Sequence, residues 1–133
     1  MIFTGNFSNI SKYVKAGYVP VSISLYPPKW YTGYQYKKLA PTYEMLRMAE
    51  NKYREKYALL LSSLRKEKVL EEIRAFCMGA NIVLLCFEKE GEFCHRRLVA
   101  EWLQQISGEI KELGDMKPQK KDNSTQIQLD LFS

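Results

Sequence analysis

Apolar and polar positions alternate over residues 18–26 (YVPVSISLY), where Val21, Ile23 and Leu25 are set against Ser22 and Ser24. A period of two fits a strand, and Pro27-Pro28 ends it. Residues 81–87 (NIVLLCF) are apolar without alternation, the pattern of a strand covered on both faces at the centre of a parallel sheet. Residues 2–6 read as a further short strand, followed by a brief helix that Ser8 or Ser11 caps and Gly17 ends. Leu46, Ala49, Tyr53, Tyr57, Leu60 and Leu64 recur at spacings of three and four and predict a long helix opening at Pro41. Val69, Ile73 and Phe76 predict a second helix stopping at Gly79. Leu98, Trp102 and Ile106, beside Val99 and Leu103, predict a third over residues 93–106, closed by Gly108. Residues 28–39 show no period and read as a loop at one end of the second strand; residues 109–113 read as an edge strand. This order predicts an α/β fold, a compact three-layer-like sandwich with a small, largely parallel sheet flanked by helices.

A chain of 133 residues and 15.6 kDa holds one ordinary hydrophobic core. The pattern divides it into an α/β domain over residues 1–113, a polar linker over 114–126 (GDMKPQKKDNSTQ) and a terminal peptide over 127–133. No run approaches the roughly 18 apolar residues of a membrane helix, and the N-terminus lacks a basic start before an apolar stretch. A soluble, unsecreted protein with no membrane partner is expected. Cys77, Cys86 and Cys94 are odd in number and without paired spacing, which argues against a disulfide framework and for the reducing cytoplasm. Cys77, on the apolar side of the second helix, is expected to pack in the core.

The net charge of +5 changes the picture once it is placed along the chain. Residues 1–43 carry Lys12, Lys15, Lys29, Lys37 and Lys38 with no acid and no arginine, while residues 44–133 sum to zero. The same stretch holds seven of the nine tyrosines, and Trp30. Lysines interleaved with aromatic rings neutralise phosphates and stack bases, so Lys29, Trp30, Tyr31, Tyr34, Lys37 and Lys38 are candidate contacts for DNA or a nucleotide. The competing reading is a solvated lysine edge over packed tyrosines, since no standard nucleic-acid motif is present.

The densest chemistry lies where the apolar strand meets the third helix, in LLCFEKEGEFCHRRLVAEW. Ligands in open α/β sheets sit beyond the carboxyl ends of strands, and free N–H groups at a helix start attract anions. Arg96 and Arg97 stand at that start, where the macrodipole disfavours cations. A bound phosphate or carboxylate would compensate, as would an ion pair to Glu88, Glu90, Glu92 or Glu101. The ligand is the expectation, making Arg96, Arg97 and Cys86 an anion-binding set. Cys94 sits where the dipole, His95 and the arginines favour a thiolate. It is the candidate nucleophile, with His95 as general acid or base and Glu88 beside them. A half-buried structural cysteine is the alternative. Cys86, Cys94 and His95, with Glu88 or water, are set aside as a metal site because adjacent Cys-His side chains on a helix diverge by roughly 100°. No metal and no cofactor are expected.

These same residues carry a family resemblance. LLCFEKEGEFCHRRLVAEWL resembles the signature of the domain of unknown function 488 family, a Cys-Glu pair at a strand end and a Cys-His-Arg triplet opening the next helix. Cys86, Glu88, Cys94, His95 and Arg96 fall on that pattern. YPPKWYTGYQYKKLAP resembles the family's early loop, so the likeness spans residues 1–113. It implies a compact α/β fold with a polar pocket, an unassigned activity, and an acid after the last strand that Glu112 would match. The tail adds Gln128, Leu129, Asp130, Leu131 and Phe132. QLDLF resembles the consensus by which bacterial polymerases and repair proteins dock into the hydrophobic pocket of the β sliding clamp; packing on the chain's own domain is the alternative. Two function classes follow. One is a small enzyme acting on nucleic acid or a nucleotide and recruited to the clamp in a replication and repair context. The other is a non-catalytic DNA- and clamp-binding module.

Overall fold

The computed structural model describes residues 1–87 and 94–114. Strands β1 (Ile2–Asn6), β2 (Val19–Ser22), β3 (Tyr34–Gln35), β4 (Ile82–Cys86) and β5 (Lys111–Glu112) form one parallel sheet in the order β3-β2-β4-β1-β5. Helices α1 (Ile10–Lys15), α2 (Glu50–Ser62), α3 (Lys66–Cys77) and α4 (His95–Ser107) flank it. β4 is the middle strand and all five of its residues are buried, as expected of an unbroken apolar run.

The pleat of β4 separates two cores. Ile82 and Leu84 join Val21, Ile23, Tyr57, Ile73, Val99 and Leu103 under α2, α3 and α4. Val83 and Leu85 join Phe7, Tyr13 and Tyr31 on the α1 side. The connection leaving β1 runs to β2 past β4, and the one leaving β4 runs to β5 past β1, so right-handed crossovers place α1 and α4 on opposite faces. Each fully buried aliphatic side chain contributes roughly 1.5–3 kcal/mol.

Three elements depart from the periodic pattern. The long helix expected from Pro41 begins at Glu50. Thr42 Oγ1 accepts the Met45 amide at 3.3 Å and sets a 3₁₀ turn at Met45–Arg47, after which Met48 and Ala49 are extended. The strand expected over residues 18–26 is regular only at Val19–Ser22, and Ser22 and Ser24 are buried along with Val21 and Ile23, since both sheet faces are covered. Pro20 is tolerated because even-numbered positions of β2 face the β3 side, where pairing starts only at Val21–Tyr34. In α4 the buried stripe is His95, Val99 and Leu103 with Arg96, whereas Ile106 is exposed. Gly108, at φ 86°, closes that helix. The loop over residues 28–39 contains β3 and a 3₁₀ turn.

Candidate functional site

In a parallel sheet every carboxyl end lies along one edge, and here that edge brings the ends of β2 and β4 to the start of α4. Cys94 is the N-cap of α4 and is extended (φ −152°, ψ 146°). It therefore escapes the helical register, and the expected divergence of Cys94 and His95 does not occur. The sulfurs of Cys86 and Cys94 and a ring nitrogen of His95 lie within 4.8 Å of one another, all three residues buried.

Cys86 and Cys94 are joined sulfur to sulfur, with their Cα atoms 7.3 Å apart. The odd cysteine count and the unpaired spacing gave no reason to expect these two sulfurs to meet. Their eight-residue separation carries no disulfide signature; the meeting arises because α4 begins beside the end of β4. Cys77 is buried and unbonded, as expected. No helix among the described residues is long and apolar enough to cross a membrane.

His95 Nε2 lies 2.7 Å from the Ile23 carbonyl oxygen. A carbonyl only accepts, so Nε2 carries the proton and the Nδ1 lone pair faces Cys94 Sγ at 3.7 Å. Burial pushes the imidazole down to about 4, with the Ile23 bond opposing and Arg96 adding to the effect. At neutral pH the ring is uncharged, so it favours a Cys94 thiolate only by accepting its proton. The Tyr57 ring meets His95 edge-on at 5.4 Å.

Arg96 is 1% exposed. Its Nε and Nη2 donate to the two Glu112 oxygens at 3.0 and 2.9 Å, and Nη1 reaches Cys86 Sγ at 3.0 Å. Glu112 also accepts Thr4 Oγ1 at 2.6 Å. The compensation expected from a bound anion is supplied at Arg96 by this carboxylate, which β5 presents. Glu112 lies within β5 itself, whereas the family resemblance implied an acid after the last strand. Arg97 is exposed on the Glu109 and Glu112 side of the molecule.

A cavity of about 390 Å³ opens beside the cluster, lined among others by Ser24, Glu50, Tyr53, Phe87, Cys94 and His95. Asn6, in register with Cys86 on the neighbouring strand, is fully buried, and its Nδ2 has no partner among the described residues. Ser24, Thr4 and Asn6 were not signalled by the sequence, because small polar residues in loops and strands look alike whether buried or exposed; Tyr53 and Tyr57 were read only as positions of a helix stripe.

The basic aromatic stretch divides. Lys29 and Trp30 are exposed, and Trp30 meets Phe7 edge-on, which in turn contacts Phe87 at the cavity rim. Lys37 Nζ reaches the carbonyls of Ser24 and Leu25, also at the rim. Tyr34 stacks on Phe76 and Lys38 pairs with Glu72, so both turn toward α3. Tyr31, expected as a stacking surface, is buried in the α1 core with its hydroxyl donating to the Tyr34 carbonyl at 2.6 Å. Glu88 and the segment Gln128 to Phe132 lie outside the described residues.

A family model described as the active DUF488-N3 subclade matches residues 11–107. Neither a curated protein nor a solved structure matches the chain.

Proposed function

The chain belongs to the DUF488 family, and on that premise we propose that it is an enzyme acting on nucleic acid or a nucleotide, with Cys94 and His95 as the reactive pair. The observation that carries this reading is Cys94 Sγ facing the unprotonated Nδ1 of His95 at 3.7 Å on the wall of the cavity. In the dithiol state Nδ1 takes the Cys94 proton only as the sulfur attacks, and passes it on to the leaving group. The sulfur bonds to an electrophilic centre of the bound group as its leaving group departs, and water later displaces the sulfur. Lys37 at the rim, with the exposed Lys29 and Trp30, supplies cation and ring contacts to a phosphate backbone or base. Gln128, Leu129, Asp130, Leu131 and Phe132 dock on the β sliding clamp, which raises the effective concentration of the domain at DNA.

In the reduced full chain kept free of metal by a chelator, iodoacetamide at pH 7 is expected to alkylate Cys94 at least tenfold faster than Cys77, resolved by peptide mass spectrometry. Equal rates would remove the nucleophile. Anisotropy of a labelled oligonucleotide tests the rim, where Trp30→Ala with Lys37→Glu should weaken binding at least fivefold. Pull-down with purified clamp should fail for a chain truncated after Thr125. A second reading, a non-catalytic DNA- and clamp-binding module, is favoured by Arg96, whose guanidinium is fully engaged by Glu112 and Cys86.

A further inference from the structure

The geometry points to a metal site: in the dithiol state Cys86, Cys94 and His95 bind one Zn²⁺, with the cavity side left for water or an added ligand. Three donors of the kind Zn²⁺ prefers, two sulfurs and an imidazole nitrogen, lie within 4.8 Å of one another in a buried cluster. Bonds of about 2.3 Å to sulfur and 2.0 Å to nitrogen in a tetrahedron imply an S···N edge of about 3.5 Å. Cys94 Sγ and His95 Nδ1 are 3.7 Å apart.

The surroundings match what such a site requires. A ligating imidazole usually donates its second N–H to a carbonyl or carboxylate, which fixes the ring and aims the other nitrogen at the metal. His95 does this through Nε2 to Ile23 at 2.7 Å. A thiolate ligand is steadied by an N–H donor, and Arg96 Nη1 points at Cys86 Sγ from 3.0 Å. Arg96 is itself neutralised by Glu112, so two thiolates and one Zn²⁺ add no net charge to the buried cluster. The Cα atoms of Cys86 and Cys94 are 7.3 Å apart. Ordinary disulfides span roughly 4.4–6.8 Å. Two sulfurs sharing a metal stand farther apart than two bonded sulfurs, so the frame around this pair suits both states.

The two states exchange by a balanced reaction. A phosphine gives two electrons to the Cys86–Cys94 bond and takes oxygen from water as phosphine oxide, leaving two thiols. Zn²⁺ then displaces the two thiol protons. Occupancy ties up the Cys94 sulfur, so the metal holds in check any reaction at that atom. The metal site does not rest on the proposed enzymatic reading.

The test uses the full chain, reduced with a phosphine and stripped with a chelator that is then removed. Titration with Co²⁺ is expected to give one equivalent bound, with thiolate charge-transfer bands and the intense visible bands of a tetrahedral site, all displaced by Zn²⁺. Cys86→Ser, Cys94→Ser and His95→Gln should each weaken Zn²⁺ binding at least tenfold in competition with a chromophoric chelator, and Cys77→Ser should leave it unchanged. Wild-type protein re-oxidised to the disulfide should bind none, a comparison that needs no variant to fold. Absence of the cobalt bands from the reduced wild type, or binding that survives Cys86→Ser undiminished, overturns the proposal. Slow alkylation of metal-free Cys94 with tight Zn²⁺ binding would remove the nucleophile and keep the metal; fast alkylation without Zn²⁺ binding would do the reverse.

Discussion

Arg96 shows how strongly one side chain depends on one partner. Its guanidinium is shut away from water and held by both oxygens of Glu112. Glu112→Gln leaves the cation without its counter-charge, and a loss of about 2–3 kcal/mol is expected in urea unfolding, below the fully buried range because Glu112 is partly exposed. The paired replacement Arg96→Met with Glu112→Leu should recover most of that loss, since a buried ion pair and a well-packed apolar pair are often equivalent. Gly5 illustrates close approach: a Cβ there would stand 2.6 Å from the Tyr13 hydroxyl oxygen and 2.7 Å from its ring carbons. The Tyr13 hydroxyl is pinned by the Gly114 carbonyl at 2.6 Å, so it has little freedom to retreat. Gly5→Ala should destabilise by about 1–3 kcal/mol, read as a lowered urea midpoint at unchanged slope.

At the scale of elements, α3 ends with Met78 in the left-handed region (φ 48°) and 93% exposed. A side chain with a Cβ is strained there and makes no compensating contact, so Met78→Gly should raise stability by about 0.5–1 kcal/mol in thermal unfolding. The ends of the elements were also where the sequence was least legible. Gly108 marked the close of α4 correctly because its positive φ is a local backbone demand. The start of α2 was hidden because Pro41 fits the first turn of a long helix as well as it fits the approach to the short 3₁₀ turn at Met45–Arg47, which Met48 and Ala49 separate from α2. The central place of β4 was plain from its unbroken apolar run. The burial of Ser22 and Ser24 was not, because period two describes a strand and says nothing of whether helices cover its polar side.

On the scale of the whole molecule, the two cores bury tyrosines from both faces. Burial raises the hydroxyls of Tyr13, Tyr31, Tyr36 and Tyr57, Tyr31 to about 12, with Glu72 reinforcing the rise at Tyr36. Below the unfolded value near 10 both states keep these protons and this stability is fully present. As pH climbs from about 10 through 12 only the unfolded chain releases them, so stability is lost across that window, by roughly 2 kcal/mol from Tyr31 alone. The share of tyrosinate absorbance due to these four buried hydroxyls should therefore appear only together with the cooperative loss of circular dichroism; full ionisation of all nine tyrosines with the fold intact would contradict it. The family, the α/β class, the central strand and the Cys-His-Arg segment were determined by the sequence alone, because periodicity and short motifs are local properties of the chain. What only the tertiary structure decided is who meets whom: Cys86 with Cys94, His95 with the Ile23 carbonyl, Arg96 with Glu112. Those pairs join separate elements, and their distances exist only once the parallel sheet has brought its carboxyl ends to one edge and α4 has packed beside β4.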